Sequence, residues 1–247
     1  MSTIFDPSNE LLGGYLPLDG TIEFYGRIRS ILKSTDTVLD LGAGRGSWFY
    51  EDSCETRRQT RDLRSLALQV VGADVQSVVL ANPTTSRNLL IEEGRIPLSS
   101  ESVDVIVADF VLEHVQDVER FAGEVARILK PGGYFCARTP HKWQYTSVGA
   151  RLLHNKYHYG VLRWIQPSRK EEDTFPTYYR LNSLTAIERS FSSFENFSYL
   201  YCCEPHYFLG NRAVYKLLDW FHRLLPRVCV SSLFVFMRKS PAHEAIF

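Results

Sequence analysis

Ten residues decide how this chain folds: Thr37-Val38-Leu39-Asp40-Leu41-Gly42-Ala43-Gly44-Arg45-Gly46. A short β-branched and apolar run ends at Asp40, and three glycines follow at alternate positions. This pattern predicts a buried parallel strand that runs into a tight turn, with a helix beyond it. Glycine suits such a turn because a side chain would keep the backbone away from a bound ligand.

The spacing of these glycines disfavours a dinucleotide site. A dinucleotide fingerprint reads G-x-G-x-x-G, and its third glycine packs the helix against the strand. Here the third glycine comes one place early, at Gly46, and Ser47 stands where the fingerprint needs glycine. An NAD-dependent dehydrogenase is therefore not favoured.

The composition is that of an ordinary globular protein. Of 247 residues, 45% are hydrophobic, and 28 Lys and Arg residues balance 28 Asp and Glu residues. This length suits one α/β domain with an elaborated edge. The net charge of zero gives no support to nucleic acid as a partner. Five cysteines without a C-x-x-C pair favour reduced thiols over disulfides or a zinc site.

The termini and apolar stretches lead us to expect a soluble, cytoplasmic protein. Residues 1–10 carry two acidic side chains and have no apolar run of signal-peptide length. The longest apolar stretch, 228–237, is broken by two serines and is too short to span a bilayer.

Beyond the glycine turn the chain alternates predicted strands with predicted helices. Strands are expected over residues 66–75, 103–108, 134–138, 197–203 and 233–238, and helices over 22–33, 120–130 and 185–191. The arginine-rich segment 48–64 is expected to be a solvated helical insertion, with a phosphate or RNA contact as the alternative.

Four stretches, in order, resemble the class I S-adenosylmethionine-dependent methyltransferases of the type 11-like group. They are the turn at 39–46, the stretch from Glu92 to Leu98, the run Asp109-Phe110-Val111-Leu112-Glu113-His114-Val115, and the junction Leu129-Lys130-Pro131-Gly132-Gly133. The resemblance implies a doubly wound, Rossmann-like α/β fold with seven mostly parallel strands, the seventh antiparallel, and helical insertions. It also implies methyl transfer from S-adenosylmethionine. We expect a single domain over 1–247 with a cofactor-binding core at 37–138.

The resemblance also assigns the cofactor site. The glycine turn would lie under the methionyl and ribose parts, Asp40 would help to hold the ammonium, and Asp109 would face the methionyl end. A carboxylate at the end of the second strand, Asp74, is placed to accept hydrogen bonds from ribose hydroxyls. Glu92, with Glu93 as its competitor, takes the acidic position near the adenine amine. The expected cofactor-binding residues are Asp40, Gly42, Ala43, Gly44, Gly46, Asp74, Val75, Glu92, Gly94, Asp109 and Phe110.

The acceptor is expected to bind past the fifth strand. Residues beyond the carboxyl ends of parallel strands line the crevice of an open α/β sheet. The long connection 139–182 is typical of a lid or a substrate-binding insertion. Its candidate contacts are Tyr145, Tyr178, Tyr179 and Arg180. Aromatic faces with Arg and His between them suit sugar rings, planar phenols or a phosphate-bearing acceptor.

A hydroxyl acceptor gains from a general base. His141 is the first candidate, because it lies just past the fifth strand and titrates near neutral pH. His114 is the second, and it could instead cap or orient its neighbours. The pair Glu113-His114 also resembles the Glu-x-x-Glu-His metal site of small-RNA 2′-O-methyltransferases. Phe110 stands at the first glutamate of that motif and cannot bind a metal, so no metal is expected.

Residues 204–232 form a second insertion, between the sixth and seventh strands, with apolar side chains on more than one helix face. Packing on the lid or on a second copy of the chain, as a homodimer, explains such a surface. Contact with a membrane surface or a lipid-linked acceptor is the alternative.

Three functions remain open at this point. The first is methyl transfer to an oxygen of a small-molecule or glycan acceptor. The second is RNA methylation through the arginines of 48–64, which predicts salt-sensitive RNA binding. The third is a non-catalytic protein that binds S-adenosylmethionine.

Overall fold

The computed structural model describes residues 13–16, 18–152, 175–202, 205 and 212–241. Within these residues eight strands form one sheet: β1 Thr37–Leu41, β2 Gln69–Asp74, β3 Arg87–Leu90, β4 Val103–Asp109, β5 Leu129–Pro140, β6 Phe194–Asn196, β7 Tyr199–Cys202 and β8 Ser231–Lys239. Their order is β3-β2-β1-β4-β5-β8-β6, and β7 also pairs with β8. Strands β1 to β5 are parallel, and β8 is antiparallel to β5, β6 and β7.

The helices in the same residues are α1 Gly20–Ile31, α2 Ser47–Glu51, α3 Glu55–Arg61, α4 Val118–Ile128, α5 Tyr145–Leu152, α6 Leu184–Ser190, α7 Arg212–Leu224 and α8 Arg227–Val230. Two 3₁₀ turns, Ser77–Ala81 and Leu112–His114, complete the described elements. Helices and strands alternate through the parallel part of the sheet, which confirms the expected doubly wound α/β fold.

The sixth expected strand is present but interrupted. β6 and β7 follow one another along the same edge of β8. Between them the Phe197 amide donates to the Phe236 carbonyl at 2.8 Å, whereas the Phe236 amide donates to the Ser198 hydroxyl at 3.2 Å. The serine hydroxyl therefore replaces a backbone acceptor, and the strand breaks into two pieces. β8 takes the place of the expected antiparallel seventh strand.

Successive side chains of β1 point to opposite faces of the sheet, and this alternation divides the core. Leu39 and Leu41 belong to one apolar cluster, and Val38 belongs to the other, which packs under α1 around Phe24. Asp40 shares the face of Val38. Its carboxyl group is consequently directed toward the α1 side of the sheet.

The strand order of the sheet reverses at β1, which lies between β2 on one side and β4 on the other. In open α/β sheets the ligand crevice forms at this switch point, outside the carboxyl ends of the strands. The turn 42–46 follows β1 and residues 110–114 follow β4, so both lie at that crevice.

The helix boundaries follow from local signals. Asp19 caps α1 by accepting from the Thr21 and Ile22 amides at 2.9 and 3.1 Å. The expected helix 120–130 ends instead at Ile128, because Leu129 already pairs with Val103 as the first residue of β5. The segment 48–64 contains two short helices, α2 and α3, rather than one.

Part of both predicted insertions lies outside the described residues. This applies to 153–174 of the expected lid and to residues 204 and 206–211 of the second insertion. In the described part of the chain, every helix is too short or too polar to cross a membrane.

Candidate functional site

The three glycines of the turn have different reasons to be glycine. All have positive φ, at 77°, 50° and 69° for Gly42, Gly44 and Gly46, where side chains are strained. A Cβ at Gly42 would lie 2.4 Å from Val111 Cγ2, and a Cβ at Gly46 would lie 2.5 Å from Asn82 Oδ1. A Cβ at Gly44 would meet nothing within 4 Å. The fold thus requires glycine at two positions, while the third borders open space.

Two polar side chains hold the turn in place. Asp74 Oδ2 accepts from the Gly44 amide at 2.9 Å, and its Oδ1 accepts from the Gln76 amide at 2.9 Å. Buried Asn82 donates to the Ala43 and Gly44 carbonyls at 3.0 and 3.1 Å. No motif in the sequence marks Asn82, whose role emerges only from its position beside the turn.

These contacts leave capacity for the cofactor that the resemblance implies. Each carboxylate oxygen has two acceptor sites, so Asp74 can still accept from ribose hydroxyls while it holds the turn. The space over Gly44 is open, and the Val75 side chain beside Asp74 is exposed. Glu92 and Gly94 follow β3 at the same edge of the sheet. The residues present fit S-adenosylmethionine, and the role of each one stays a prediction.

Asp109 belongs to a buried charged cluster on the α1 side of the sheet. Arg138 Nε and Nη2 donate to its two oxygens at 2.7 and 2.8 Å. The Tyr25 hydroxyl lies 3.3 Å and Arg61 Nη2 lies 3.4 Å from Oδ2. Burial raises the pKa of Asp109, but the Arg138 and Arg61 guanidinium groups outweigh burial and hold the pKa below its usual range. Asp109, which we expected at the methionyl end of the cofactor, is therefore ionised. It is bound by Arg138, which no sequence motif marks.

Asp40 faces a small cavity in the same cluster. The cavity has a volume of about 20 Å³, is lined by Tyr25, Trp48 and Arg61 among others, and has room for about one water molecule. Burial raises the pKa of Asp40 to about 6. The Arg61 guanidinium opposes this rise, and the Asp109 carboxylate adds to it. Asp40 consequently exchanges its proton near neutral pH, and a cation placed beside it would favour the ionised form.

Phe110 stands at the mouth of the crevice. It has a φ of 58°, which costs a non-glycine residue about 1–3 kcal/mol. Its ring is 42% exposed and lies 4.7 Å from the Arg138 guanidinium. A strained, exposed aromatic residue at the switch point is typical of a ligand contact.

The arginines of 48–64 are engaged with the protein. Arg57 donates to both oxygens of Asp52 at 2.8 and 2.6 Å, and Arg64 pairs with Asp62 at 2.6 Å. Arg61 lies over two aromatic rings, with its guanidinium carbon 5.4 and 5.2 Å from their centroids. In the predicted solvated helical insertion, these arginines are therefore partly exposed and engaged in ion pairs and cation–π contacts.

His141, the first candidate base, lies just past β5 and is buried. Its Nδ1 is 3.1 Å from the Val228 carbonyl, while the Trp143 amide lies 3.4 Å from the same nitrogen. We assign the proton to Nδ1 because a carbonyl can only accept and makes the shorter contact. The lone pair of the neutral ring is then on Nε2. Burial lowers the pKa of His141 despite the bond to Val228, so the ring is neutral at pH 7.

His114, the second candidate, holds a neighbouring segment. Its Nδ1 lies 2.9 Å from the Pro176 carbonyl, and its ring makes an edge contact with Phe175. The Tyr178 and Tyr179 amides donate to the Glu113 carbonyl at 2.7 and 3.2 Å. The geometry favours the orienting role that the sequence left open for His114.

The candidate acceptor residues lie in two places. Arg180 Nη1 donates to the Gln116 carbonyl at 2.7 Å, and the exposed ring of Tyr178 lies beside its guanidinium at 6.0 Å. Tyr145 begins α5 and packs its ring 5.4 Å from that of His222 on α7. Residues 178–180 therefore bond to the turn after β4, whereas Tyr145 follows β5 at the start of α5.

A buried polar network joins these parts, and sequence reasoning missed it. The Thr139 hydroxyl donates to Glu113 Oε2 at 2.7 Å, and the Asn182 amide donates to the Thr139 hydroxyl at 2.6 Å and to the Pro140 carbonyl at 2.9 Å. Glu113 follows β4, Thr139 and Pro140 end β5, and Asn182 lies in the segment that precedes α6. The network fixes the end of β5 against the segment that returns from the insertion.

The described residues contain no group of three or more His, Cys, Asp or Glu side chains that could hold a metal ion.

Known proteins share the sequence of the core and the fold. Residues 39–137 match the model of a family described as a methyltransferase domain. A ubiquinone biosynthesis O-methyltransferase of Bradyrhizobium sp. (strain ORS 278) is 29% identical over 151 residues, which cover 57% of this chain and 52% of the relative. The chain thus spans about half the length of that curated relative.

Solved structures share the fold. An S-adenosylmethionine-dependent methyltransferase from Mesorhizobium loti superposes with a TM-score of 0.53 at 22% identity, covering 90% of this chain and 99% of the other. The cyclase SpnF superposes with a TM-score of 0.56 at 16% identity, covering 90% of this chain and 81% of the other.

Proposed function

Because the chain belongs to the class I S-adenosylmethionine-dependent methyltransferases, we propose that it transfers a methyl group to an oxygen of a small-molecule or glycan acceptor. When bound, S-adenosylmethionine supplies a methyl group that is already activated for displacement. The protein must then align the acceptor, exclude water and remove the hydroxyl proton.

The state of His141 is the observation that carries the choice of oxygen. With the proton assigned to Nδ1, beside the Val228 carbonyl at 3.1 Å, Nε2 presents a lone pair. Burial lowers the pKa of His141, which keeps that lone pair available at neutral pH. A base so placed can take the proton of a hydroxyl, a step worth about 10²–10⁴ in rate.

The surroundings favour a small, partly aromatic or hydroxylated acceptor. Tyr145 and Tyr178 flank the ends of β5 and β4, and tyrosine rings with polar tips suit phenols and sugars. The Bradyrhizobium relative is named as an O-methyltransferase of ubiquinone biosynthesis, so its name gives oxygen as the methylated atom. We carry only the oxygen acceptor and the small-molecule class over to this chain.

RNA methylation loses its main support. RNA binding depends on cations that release counterions from phosphates. Arg57 and Arg64 are paired with Asp52 and Asp62, and Arg61 is held over aromatic rings beside Asp109. These three arginines of the segment are therefore neutralised by Asp52 and Asp62 within it and by Asp109 of β4.

A second candidate is cofactor binding without methyl transfer. The fold alone does not decide between them, since SpnF shares it and is described as a cyclase. The test below therefore includes the third function, a non-catalytic protein that binds S-adenosylmethionine.

The test measures release of S-adenosylhomocysteine by the full chain with a panel of phenols, catechols and sugars. His141→Ala should lower turnover about 100-fold with the responsive acceptor and leave cofactor affinity unchanged. The rate of the wild type should rise with pH through an apparent pKa below 6.5, and His141→Ala should lose this rise.

His114→Ala is the matched control, because its ring holds Pro176 rather than facing the acceptor as a base. Equal turnover of His141→Ala and wild type would end the candidacy of His141. Cofactor binding without turnover on any hydroxyl acceptor would support the non-catalytic alternative.

A further inference from the structure

The second insertion exposes a continuous apolar surface. Leu217, Trp220, Phe221 and Leu224 of α7 are all exposed, Leu217 and Leu224 at 62% each, and Val228 of α8, four residues beyond Leu224, is exposed as well. The spacing of i, i+3, i+4 and i+7 places the four residues of α7 on one face of that helix. Single exposed apolar residues are normal, but a contiguous row marks an interaction surface. We refer to these five residues as the apolar stripe.

The other side of α7 packs on the protein beside the proposed acceptor site. His222 is buried, and its ring lies 5.4 Å from that of Tyr145. The Val228 carbonyl, at the end of the stripe, lies 3.1 Å from Nδ1 of His141. A surface that covers the stripe would therefore lie next to the acceptor side of the crevice.

The charge around the stripe is positive although the chain as a whole is neutral. Residues 213–230 contain Lys216, Arg223 and Arg227 against Asp219, which is the single acidic residue in that range. Arg223 and Asp219 pair at 2.9 Å, so the net positive charge rests on Lys216 and Arg227, both exposed. On a helical projection Lys216 and Arg223 lie about a quarter turn from the centre of the stripe.

A second copy of the chain is a poor occupant for this surface. A two-fold contact would set each patch against itself and bring the two positive patches together. Five apolar side chains also fall short of the roughly 20–30 residues per side of a standard protein interface.

A membrane surface matches each feature. Trp and Phe favour the headgroup level, Leu enters the acyl boundary, and basic residues beside an apolar face reach anionic headgroups. We propose that the apolar stripe docks on an anionic bilayer surface. The consequence for substrate choice rests on the proposed function: the acceptor is an amphiphile whose hydroxyl is presented from the membrane to the His141 side of the crevice.

The experiment sediments the full chain with phosphatidylcholine vesicles and with vesicles that also contain phosphatidylglycerol. The wild type should bind the anionic vesicles, and added salt should weaken this binding. Trp220→Ser and Leu217→Ser should each lower partitioning about tenfold. A Lys216→Glu, Arg227→Glu double variant should abolish the preference for anionic vesicles.

Leu68→Ser is the matched control, because Leu68 is 68% exposed in the turn before β2, outside the stripe. It should partition like the wild type. All variants should bind S-adenosylhomocysteine by calorimetry, which shows that they are folded and separates this test from methyl transfer.

Three results would overturn the proposal. The first is absence of binding to anionic vesicles, and the second is binding that Trp220→Ser and Leu217→Ser leave unchanged. The third is a concentration-dependent dimer that Trp220→Ser dissolves, without vesicle binding, which would identify a second copy as the occupant.

Discussion

The ion pair between Arg138 and Asp109 gives the sharpest prediction about stability. Its side chains are 6% and 2% exposed, and two bonds of 2.7 and 2.8 Å join them. Removal of one partner from such a pair leaves an uncompensated buried charge and costs about 3–5 kcal/mol. Replacement of Arg138 by methionine keeps much of the side-chain volume and removes the charge, together with the bond from Arg138 Nη1 to the Thr21 hydroxyl at 3.0 Å.

The surrounding contacts place the expected loss at the lower end of this range. Asp109 would keep Arg61 at 3.4 Å and the Tyr25 hydroxyl at 3.3 Å. We therefore expect Arg138→Met to cost about 3 kcal/mol, which in a domain of this size lowers Tm by about 6–12 °C. The guanidinium groups hold the pKa of Asp109 low against burial, so its stabilising contribution is present above the usual aspartate pKa and is lost as pH falls through the lowered value.

Thermal and urea unfolding of Arg138→Met, Asp109→Asn and the double variant test this reasoning. The double variant should lose less stability than the sum of the single variants, because it removes the attraction once. Arg223→Met is the control, since its pair with Asp219 is exposed and worth about 0–1 kcal/mol. Equal losses in Arg138→Met and Arg223→Met would refute the argument.

Two further predictions concern the cofactor. Burial raises the pKa of Asp40 to about 6, so the carboxyl group is neutral below that pH. The cationic ammonium of the cofactor should therefore bind more tightly as pH rises through 6, and its binding should displace a proton from Asp40. Calorimetric titration of S-adenosylhomocysteine in buffers of different ionisation enthalpy should detect this proton near pH 6 in the wild type and not in Asp40→Asn. Cofactor affinity of the wild type that does not change with pH would contradict the role of Asp40. Gly42→Ala should reduce stability, because its Cβ would lie 2.4 Å from Val111 Cγ2, whereas Gly44→Ala should cost only about 1 kcal/mol of strain yet block the cofactor. Wild-type affinity in Gly44→Ala would show that the cofactor does not use the space over that glycine.

The sequence predicted the parts of the fold that local pattern controls. The strand and glycine turn at 37–46 carry their own signal in apolar residues and glycine spacing. Asp74 could be placed because its distance along the chain from the turn is set by one helical crossover. The sequence therefore predicts that the carboxyl ends of β1, β2 and β4 meet at the crevice.

The buried cluster could not be predicted, because it depends on register. Asp109 faces Arg138 only because β4 and β5 pair in parallel with these residues opposite one another. Arg61 reaches the same carboxylate from α3, which the charge pattern of 48–64 presented as a solvated face. No local signal distinguishes an arginine in water from one directed at a carboxylate across the sheet.

The polar network of the crevice escaped prediction for a similar reason. Asn182 lies 43 residues from Thr139 along the chain and bonds to it at 2.6 Å. Single Asn and Thr residues are common in loops, so their types alone carry little information. Only the return of the chain after the insertion brings them together.

The central claim is that S-adenosylmethionine binds across the glycine turn with its ribose hydroxyls on Asp74. Calorimetric titration of S-adenosylhomocysteine into the wild type and Asp74→Ala tests it most directly. We expect one site in the wild type and a loss of about 1–3 kcal/mol of binding free energy in Asp74→Ala. Absence of heat with the wild type, or equal affinity in the two proteins, would contradict the account.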